Sequence, residues 1–495
     1  MSCPSRRSAA RRPWLATAAL ALPGLAEAHG FGQLYNLPVP FWLYAWAATA
    51  ALVLSFVVAA FFATRTAADT APAPRDLPRL QAALRRLAPG LKLLSVGFLL
   101  LAIASGLLGS RDPYRNFSMT AFWVVFVLAF SYLTALVGNA YAVLNPWRVL
   151  ADTLGRGWRG YTAGRWRYPA RLGDWPALAL YLAFIAYELF NHGRPSSLGT
   201  VLLGYSLLNL VGVWAVGAAA WFRHVEFFSL FLRLTALMSP LHYRPAGPGE
   251  AHGQLAWRAP FAGLLAERPE HLGTVVFVLA MLATTAFDGL RATQWWVGIF
   301  WFDPMGWVTA LADGAKPLFA YPKLRPWYLA WEMGWLLLLP FLYFAAFVLF
   351  VAVGKLLTLS RRPLRELVLD FAYTVLPIVL VYHLTHYATL VLTQGPKILS
   401  LLSDPFGWGW NLFGTAGLWR APILPPMGWV WHTQVGLILF GHIVSVVLAH
   451  RVALRLWPQR WQALLSQLPM LLLMVAFTVA GLWILAQPLT AVLLR

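Results

Sequence analysis

Cysteine is almost absent. The 495-residue chain has one, Cys3, and it falls in a segment that reads as a targeting signal. A mature chain without it has no thiol. That excludes disulfides, thiolate metal sites, iron–sulfur clusters and covalently attached c-type haem. Charge is scarce as well: Asp, Glu, Lys and Arg make up 11% of residues, against roughly 25% in soluble domains. Acidic residues are the scarcer sign, with 18 of them facing 38 basic residues. No Walker motif, G-x-S-x-G elbow, dinucleotide fingerprint or clear internal repeat is present. Nucleotide hydrolysis and serine-esterase chemistry of the familiar kinds therefore have no foothold.

What fills the chain instead is apolar. Hydrophobic residues make up 60%, and mean hydropathy is +0.63. Several runs exceed the length of about 20 residues needed to cross a bilayer. The expected fold is all-α: a polytopic integral membrane helix bundle of about ten transmembrane helices after a cleavable signal peptide. The lipid bilayer is then the principal partner. Many of the 26 Trp residues stand beside span ends, as in an aromatic belt.

Arg6, Arg7, Arg11 and Arg12 precede a short apolar run, Trp14 to Leu25, and Ala26-Glu27-Ala28 follows. This is the layout of a secretory signal peptide, residues 1–28. Cleavage after Ala28 makes His29 the new N-terminus, whose amine and imidazole can chelate copper. Residues 29–495 form one membrane domain. Its spans are expected near 41–63, 91–109, 117–141, 175–191, 198–222, 274–292, 328–353, 371–394, 429–449 and 467–490.

The net charge of +20 is a topology signal rather than a nucleic-acid footprint. The loops 64–90, 145–174, 223–273, 354–370 and 450–461 carry 23 of the 38 Lys and Arg residues, which places them inside. The expected location is the bacterial cytoplasmic membrane, with the mature N-terminus facing the periplasm. Within 223–273, the run Phe227 to Arg233 reads as an amphipathic interfacial helix, and His224, His242, His252 and His271 read as solvated. The Trp-, Gly- and Pro-rich segments 293–327 and 395–428 read as loops covering the outer face.

Ionisable groups inside a bilayer are costly and mark functional sites. His383 and His386 lie three residues apart in the apolar run Tyr382–Tyr387, on one helix face. Helix rise puts them roughly 16 and 12 Å below the outer surface, and His442 on the next span at roughly 20 Å. Glu188, Asp288, Glu332 and His432 fall near the outer span ends. Asp288 can alternatively pair with Arg291, Glu188 with His192 or Arg194, and His432 and Glu332 can be interfacial. Three imidazoles and a carboxylate suit zinc first, or manganese, iron or copper. Such an ion would turn bound water into hydroxide. On this reading His383, His386 and His442 hold the metal, with His29 and His432 as weaker ligands, while Asp288 and Glu188 do acid–base work.

Several strings belong together: His29-Gly30-Phe31-Gly32-Gln33 with Leu37-Pro38-Val39-Pro40, Thr285-Ala286-Phe287-Asp288-Gly289, Tyr382-His383-Leu384-Thr385-His386-Tyr387, Ser403-Asp404-Pro405-Phe406-Gly407 with Leu412-Phe413-Gly414-Thr415, and Gly441-His442 with Leu448-Ala449-His450. As a set they resemble a family of bacterial multi-pass membrane proteins, some members of which carry the name fenitrothion hydrolase. The resemblance spans nearly the whole mature chain. It implies hydrolysis of a small lipophilic organophosphorus phosphotriester with release of a nitrophenol. The family's polar motifs fall on Asp288, His383, His386 and His442.

Two other functions compete. One is copper or other metal transport or delivery, with His29 capturing the ion, although no polar ladder or Met-rich motif supports it. The other is a b-type haem protein with His383 and His442 as axial ligands.

Overall fold

The computed structural model describes residues 40–62, 74–191, 193–244, 253–418 and 425–487. The protein is an all-α, multi-pass membrane helix bundle. Among the described residues nine helices are long and apolar enough to cross a bilayer. The signal peptide and His29 lie outside the described residues.

The spans follow from uninterrupted apolar windows of mean hydropathy 1.6 to 2.7. In a medium without water, only a helix satisfies every backbone N–H and C=O within its own segment. In chain order the nine spans and two shorter apolar helices, α4 and α6, are α1 (Phe41–Phe62), α2 (Pro78–Leu108), α3 (Phe117–Val137), α4 (Trp175–Phe190), α5 (Pro195–Val216), α6 (Phe227–Ala236), α7 (Leu272–Arg291), α8 (Tyr321–Leu357), α9 (Leu376–Gln394), α10 (Met427–Leu456) and α11 (Arg460–Ala486). Pro occupies the first turn of α2, α4, α5, α8 and α9, where its missing N–H breaks no helical bond.

The count differs from the expected ten at α4. Its 16 residues reach about 24 Å at 1.5 Å per residue, short of the roughly 30 Å hydrocarbon thickness. Three other elements depart from expectation. Residues Thr120–Ala129 of α3 form a π-helix. Within the expected loop 64–90, α2 already begins at Pro78, and its Gln81 and Arg85 bond the Gly253 carbonyl. A small antiparallel sheet joins the same region, with β1 (Arg75–Asp76) and β2 (Leu241–Arg244) both paired to β3 (Gln254–Trp257).

The run Phe227 to Arg233 is not interfacial. It belongs to α6, where Phe227, Phe228, Leu230, Leu232 and Leu234 are all buried. The helix is amphipathic as expected, but its apolar side chains are buried in the protein, with Ser229 and Arg233 half-buried. Its N-cap Glu226 accepts from the Phe228 and Ser229 amides, the Ser229 hydroxyl at 2.6 Å and Tyr205 Oη at 2.7 Å. Those donors offset the cost of burying a carboxylate.

The centre of the bundle is α7, packed against α4, α8, α9 and α11, with 94% of its apolar window buried. Lipid tails are as apolar as leucine, so helices in a bilayer associate through close packing and hydrogen bonds. Small residues permit that approach. A Cβ on Gly106 of α2 would sit 2.8 Å from the Pro195 carbonyl of α5, and one on Gly441 of α10 would sit 2.3 Å from Val381 Cγ2 of α9.

The helices alternate in direction. One end carries the sheet; the other carries the aromatic segment that follows α7. There Trp296 stacks on Trp331 at 4.5 Å, and Phe300, Trp301 and Tyr328 interlock. The described residues of segments 293–327 and 395–428 pack on different parts of the bundle. The first packs on the starts of α7's neighbour α8 and on α7 itself, whereas Pro405 and Phe406 hydrogen-bond the backbone at Phe117 and Ser110.

Candidate functional site

On α7, Thr284, Asp288 and Arg291 follow at i, i+4 and i+7, a spacing that keeps them on one side of the helix. Each meets a polar partner from a different helix. Thr284 Oγ1 is 3.0 Å from Tyr181 Oη of α4. Asp288 Oδ2 is 3.0 Å from His386 Nε2 and accepts from Tyr387 Oη at 2.9 Å, both on α9. Arg291 makes a two-pronged pair with Glu332 of α8, Nη2 to Oε2 at 2.8 Å and Nε to Oε1 at 3.3 Å. Its Nη1 also donates to the Leu189 carbonyl, and Tyr328 Oη donates to Glu332.

Glu332 takes the hydrogen bonds of Arg291, while Asp288 acts on Arg291 through charge. Glu332 is 1% exposed, so it is a core residue rather than an interfacial one. The sequence signal for this pair was weak: an Arg and a Glu separated by 41 positions, each near a span end.

The histidine pair is split. His386 turns to α7, while His383 Nδ1 lies 3.2 Å from Tyr132 Oη of α3. Residues three apart differ by about 60° around a helix at 3.6 residues per turn. On a helix wedged between α3 and α7, that offset is enough to send the two rings to different neighbours. Tyr387 connects them, with its ring 4.9 Å from His383 and 4.6 Å from His386.

His442 does not join either ring. It is 2% exposed, its Nδ1 is 2.8 Å from its own helix's Ile438 carbonyl, and its Nε2 is buried without a partner among the described residues. Gly441 abuts Val381 and Pro377, so α10 meets α9 about half a turn to two turns before His383. His432 is exposed and bonded to the Gly428 carbonyl. Glu188 is half-buried on α4, within electrostatic range of Asp288, and makes no hydrogen bond among the described residues.

Among the described residues no group of three or more His, Cys, Asp or Glu side chains is placed to hold a metal ion. Of the residues expected to bind zinc, manganese, iron or copper, His383 faces Tyr132, His386 faces Asp288 and His442 faces the Ile438 carbonyl, and His29 lies outside the described residues. A cavity beside His383 measures about 10 Å³, room for a single water-sized occupant.

A polar cluster at the sheet end was missed. His224, expected to be solvated, has a side chain 17% exposed, and its Nδ1 is 2.7 Å from Asp174 Oδ1. Its ring stacks on Tyr168, and Thr274 Oγ1 donates to Asp174 Oδ2. Those hydrogen bonds and the nearby Arg233 outweigh burial and hold the Asp174 carboxyl below its ordinary range. Asp404, within one of the family-like strings, closes a turn by accepting from the Trp408 and Gly409 amides.

Chemically, the Asp288–His386 pair is the most capable arrangement near the aromatic end. A carboxylate at Nε2 favours the tautomer with the proton there and leaves Nδ1 as the basic nitrogen. Both side chains are shielded, at 7% exposure for His386 and 5% for Asp288, so the interaction is little screened by solvent. Comparison with protein-family models, curated proteins and solved structures finds no match.

Proposed function

We propose that this chain is a membrane-embedded hydrolase of lipophilic phosphotriesters or related esters, with its site in the half of the membrane facing the periplasm. The observation that carries the reading is the shielded Asp288–His386 pair, with Tyr387 donating to the same carboxylate oxygen. The substrate class comes from the resemblance of the Asp288, His386 and His442 strings to the fenitrothion-hydrolase family. The orientation comes from the basic residues at the sheet end.

The roles proposed are those of this chain's own groups. His386 Nδ1 takes a proton from water while the water oxygen bonds to phosphorus. The bond from phosphorus to the aryl oxygen breaks, and the aryloxide leaves with its electron pair. Asp288 stabilises the imidazolium and fixes its orientation, and Tyr387 fixes Asp288. General-base catalysis of this kind contributes typically 10²- to 10⁴-fold.

The test is nitrophenol release from an organophosphate by the purified full-length chain, its Asp288→Asn variant and its His386→Asn variant. Loss of at least a hundredfold in both supports the reading. Rates equal to wild type in either variant remove it.

A further inference from the structure

The cavity beside His383 is lined by residues of four elements and by a turn: Ser131 and Tyr132 of α3, Phe231 and Thr235 of α6, Met281 of α7, His383 with Leu376, Val379 and Leu380 of α9, and Met238 just after α6. Its volume of about 10 Å³ is that of one small occupant. Its polarity argues against water, which needs two to four hydrogen-bonding partners. Ser131 Oγ already donates to the Val127 carbonyl at 2.5 Å and Thr235 Oγ1 to the Phe231 carbonyl at 2.9 Å. Tyr132 Oη is committed to His383. No carboxylate lines the space, so a hard cation finds no charge-matching oxygen there.

What remains is soft. Met238 and Met281, 3% and 4% exposed, line the cavity together with His383, and their side chains carry thioether and imidazole donors. The protonation of that imidazole can be read from its partners. Tyr132 Oη lies 3.2 Å from His383 Nδ1 and also donates to the His383 carbonyl at 3.3 Å. A carbonyl can only accept, so it takes the single hydroxyl proton. The Nδ1 contact is then an N–H donated to the phenol oxygen, and Nε2 is the unprotonated nitrogen. An imidazole oriented through its other nitrogen is the usual state of a metal ligand.

We propose that His383, Met238 and Met281 form a binding site for a soft monovalent cation, Cu(I) or its analogue Ag(I). Thioether and imidazole donors select such ions over zinc, magnesium or calcium. The donors are distinct from Asp288 and His386, so the site stands or falls independently of the hydrolase reading.

The experiment is Ag(I) titration of the detergent-solubilised full chain followed by native mass spectrometry, on wild type, Met238→Leu, Met281→Leu and the double variant. Leu replaces Met with little change of volume, so the helix packing is kept. Wild type should retain one Ag(I) more than the double variant, with each single variant at least tenfold weaker. Equal stoichiometry and affinity in all four overturns the site and makes the methionines packing residues only. X-ray absorption of the Cu(I)-loaded wild type needs no variant: Cu–S scattering supports the site, and nitrogen or oxygen scattering alone overturns it. Zn(II) binding lost in the double variant would also overturn the soft-donor assignment.

Discussion

Arg291 and Glu332 face one another across α7 and α8 with 9% and 2% side-chain exposure, joined by two hydrogen bonds and flanked by Tyr328 and the Leu189 carbonyl. Such a pair separates two questions that are often merged: what it costs to break the pair, and what it costs to replace it. Removing one partner leaves the other charged and buried, a penalty of about 3–5 kcal/mol, whereas replacing both with apolar groups is often neutral or stabilising.

The expected result is therefore asymmetric. Glu332→Ala should lower the unfolding free energy in detergent by roughly 3–5 kcal/mol, and Arg291→Met with Glu332→Leu should recover most of it. Denaturation of the purified variants, followed by intrinsic fluorescence, measures both. A double variant no better than the single one would mean that the ion pair itself, not its completeness, stabilises α7 against α8.

Tyr387 donates to the same Asp288 oxygen that His386 Nε2 faces. Tyr387→Phe removes one hydrogen bond to a charged acceptor, worth about 1.5–3 kcal/mol. Organophosphate hydrolysis should fall roughly 10- to 100-fold, less than in Asp288→Asn, because 1.4 kcal/mol corresponds to a factor of ten. Nitrophenol release by the two variants under identical conditions gives the ranking, and a reversed order would separate Tyr387 from the site.

Gly441 sets the distance between α9 and α10. Gly441→Ala places a methyl carbon 2.3 Å from Val381 Cγ2 and 2.9 Å from the Pro377 carbonyl. A side chain can rotate away but the carbonyl cannot, so the helices must part. Overpacking of this kind costs typically 1–3 kcal/mol. Val381→Ala in the Gly441→Ala background should restore part of the loss, and thermal denaturation of the three variants is the measure.

Asp174 links the start of α4 to His224 and to Thr274 of α7, and its carboxyl sits below the ordinary value in the folded protein. A depressed carboxyl contributes stability that is fully present above its unfolded value of about 3.9 and is lost as pH falls through the folded value. Wild type should thus lose thermal stability below about pH 4 along a slope that Asp174→Asn lacks. His224, His271 and Glu270 also titrate nearby, so the comparison is of wild type with the variant across the whole acid range rather than at one pH. Coincident profiles would show that the pair does not stabilise the fold.

The helices were legible in the sequence and their neighbours were not. Apolar length alone determines that 41–62 or 460–486 forms a span, because the bilayer imposes the helix whatever surrounds it. Partner choice is different in kind. Thr284, Asp288 and Arg291 mark one side of α7, but their spacing does not say which helices meet that side. Asp288 could be picked out as anomalous, but its hydrogen bond to His386 depends on where α9 packs. The same blindness explains His442. Its depth was computable, but the crossing of α10 over α9 at Gly441 was not. For Phe227–Ala236 the apolar character was visible, and reading it as interfacial failed because its charged neighbour Glu226 is satisfied internally by Tyr205 and Ser229.

The burial of α7 has a consequence in time. This helix leaves the ribosome before the residues that neutralise it: Glu332 follows Arg291 by 41 positions, and His386 follows Asp288 by 98. At about 5–20 residues per second, the carboxylate waits roughly 5–20 s for its imidazole. Throughout that interval α7 is a charged segment among lipids or translocon walls, with no pocket yet built around it. Its retention in the membrane therefore depends on chain that has still to be made. A nascent chain arrested at residue 320 should surrender α7 to alkaline extraction, whereas one extended past α9 should hold it.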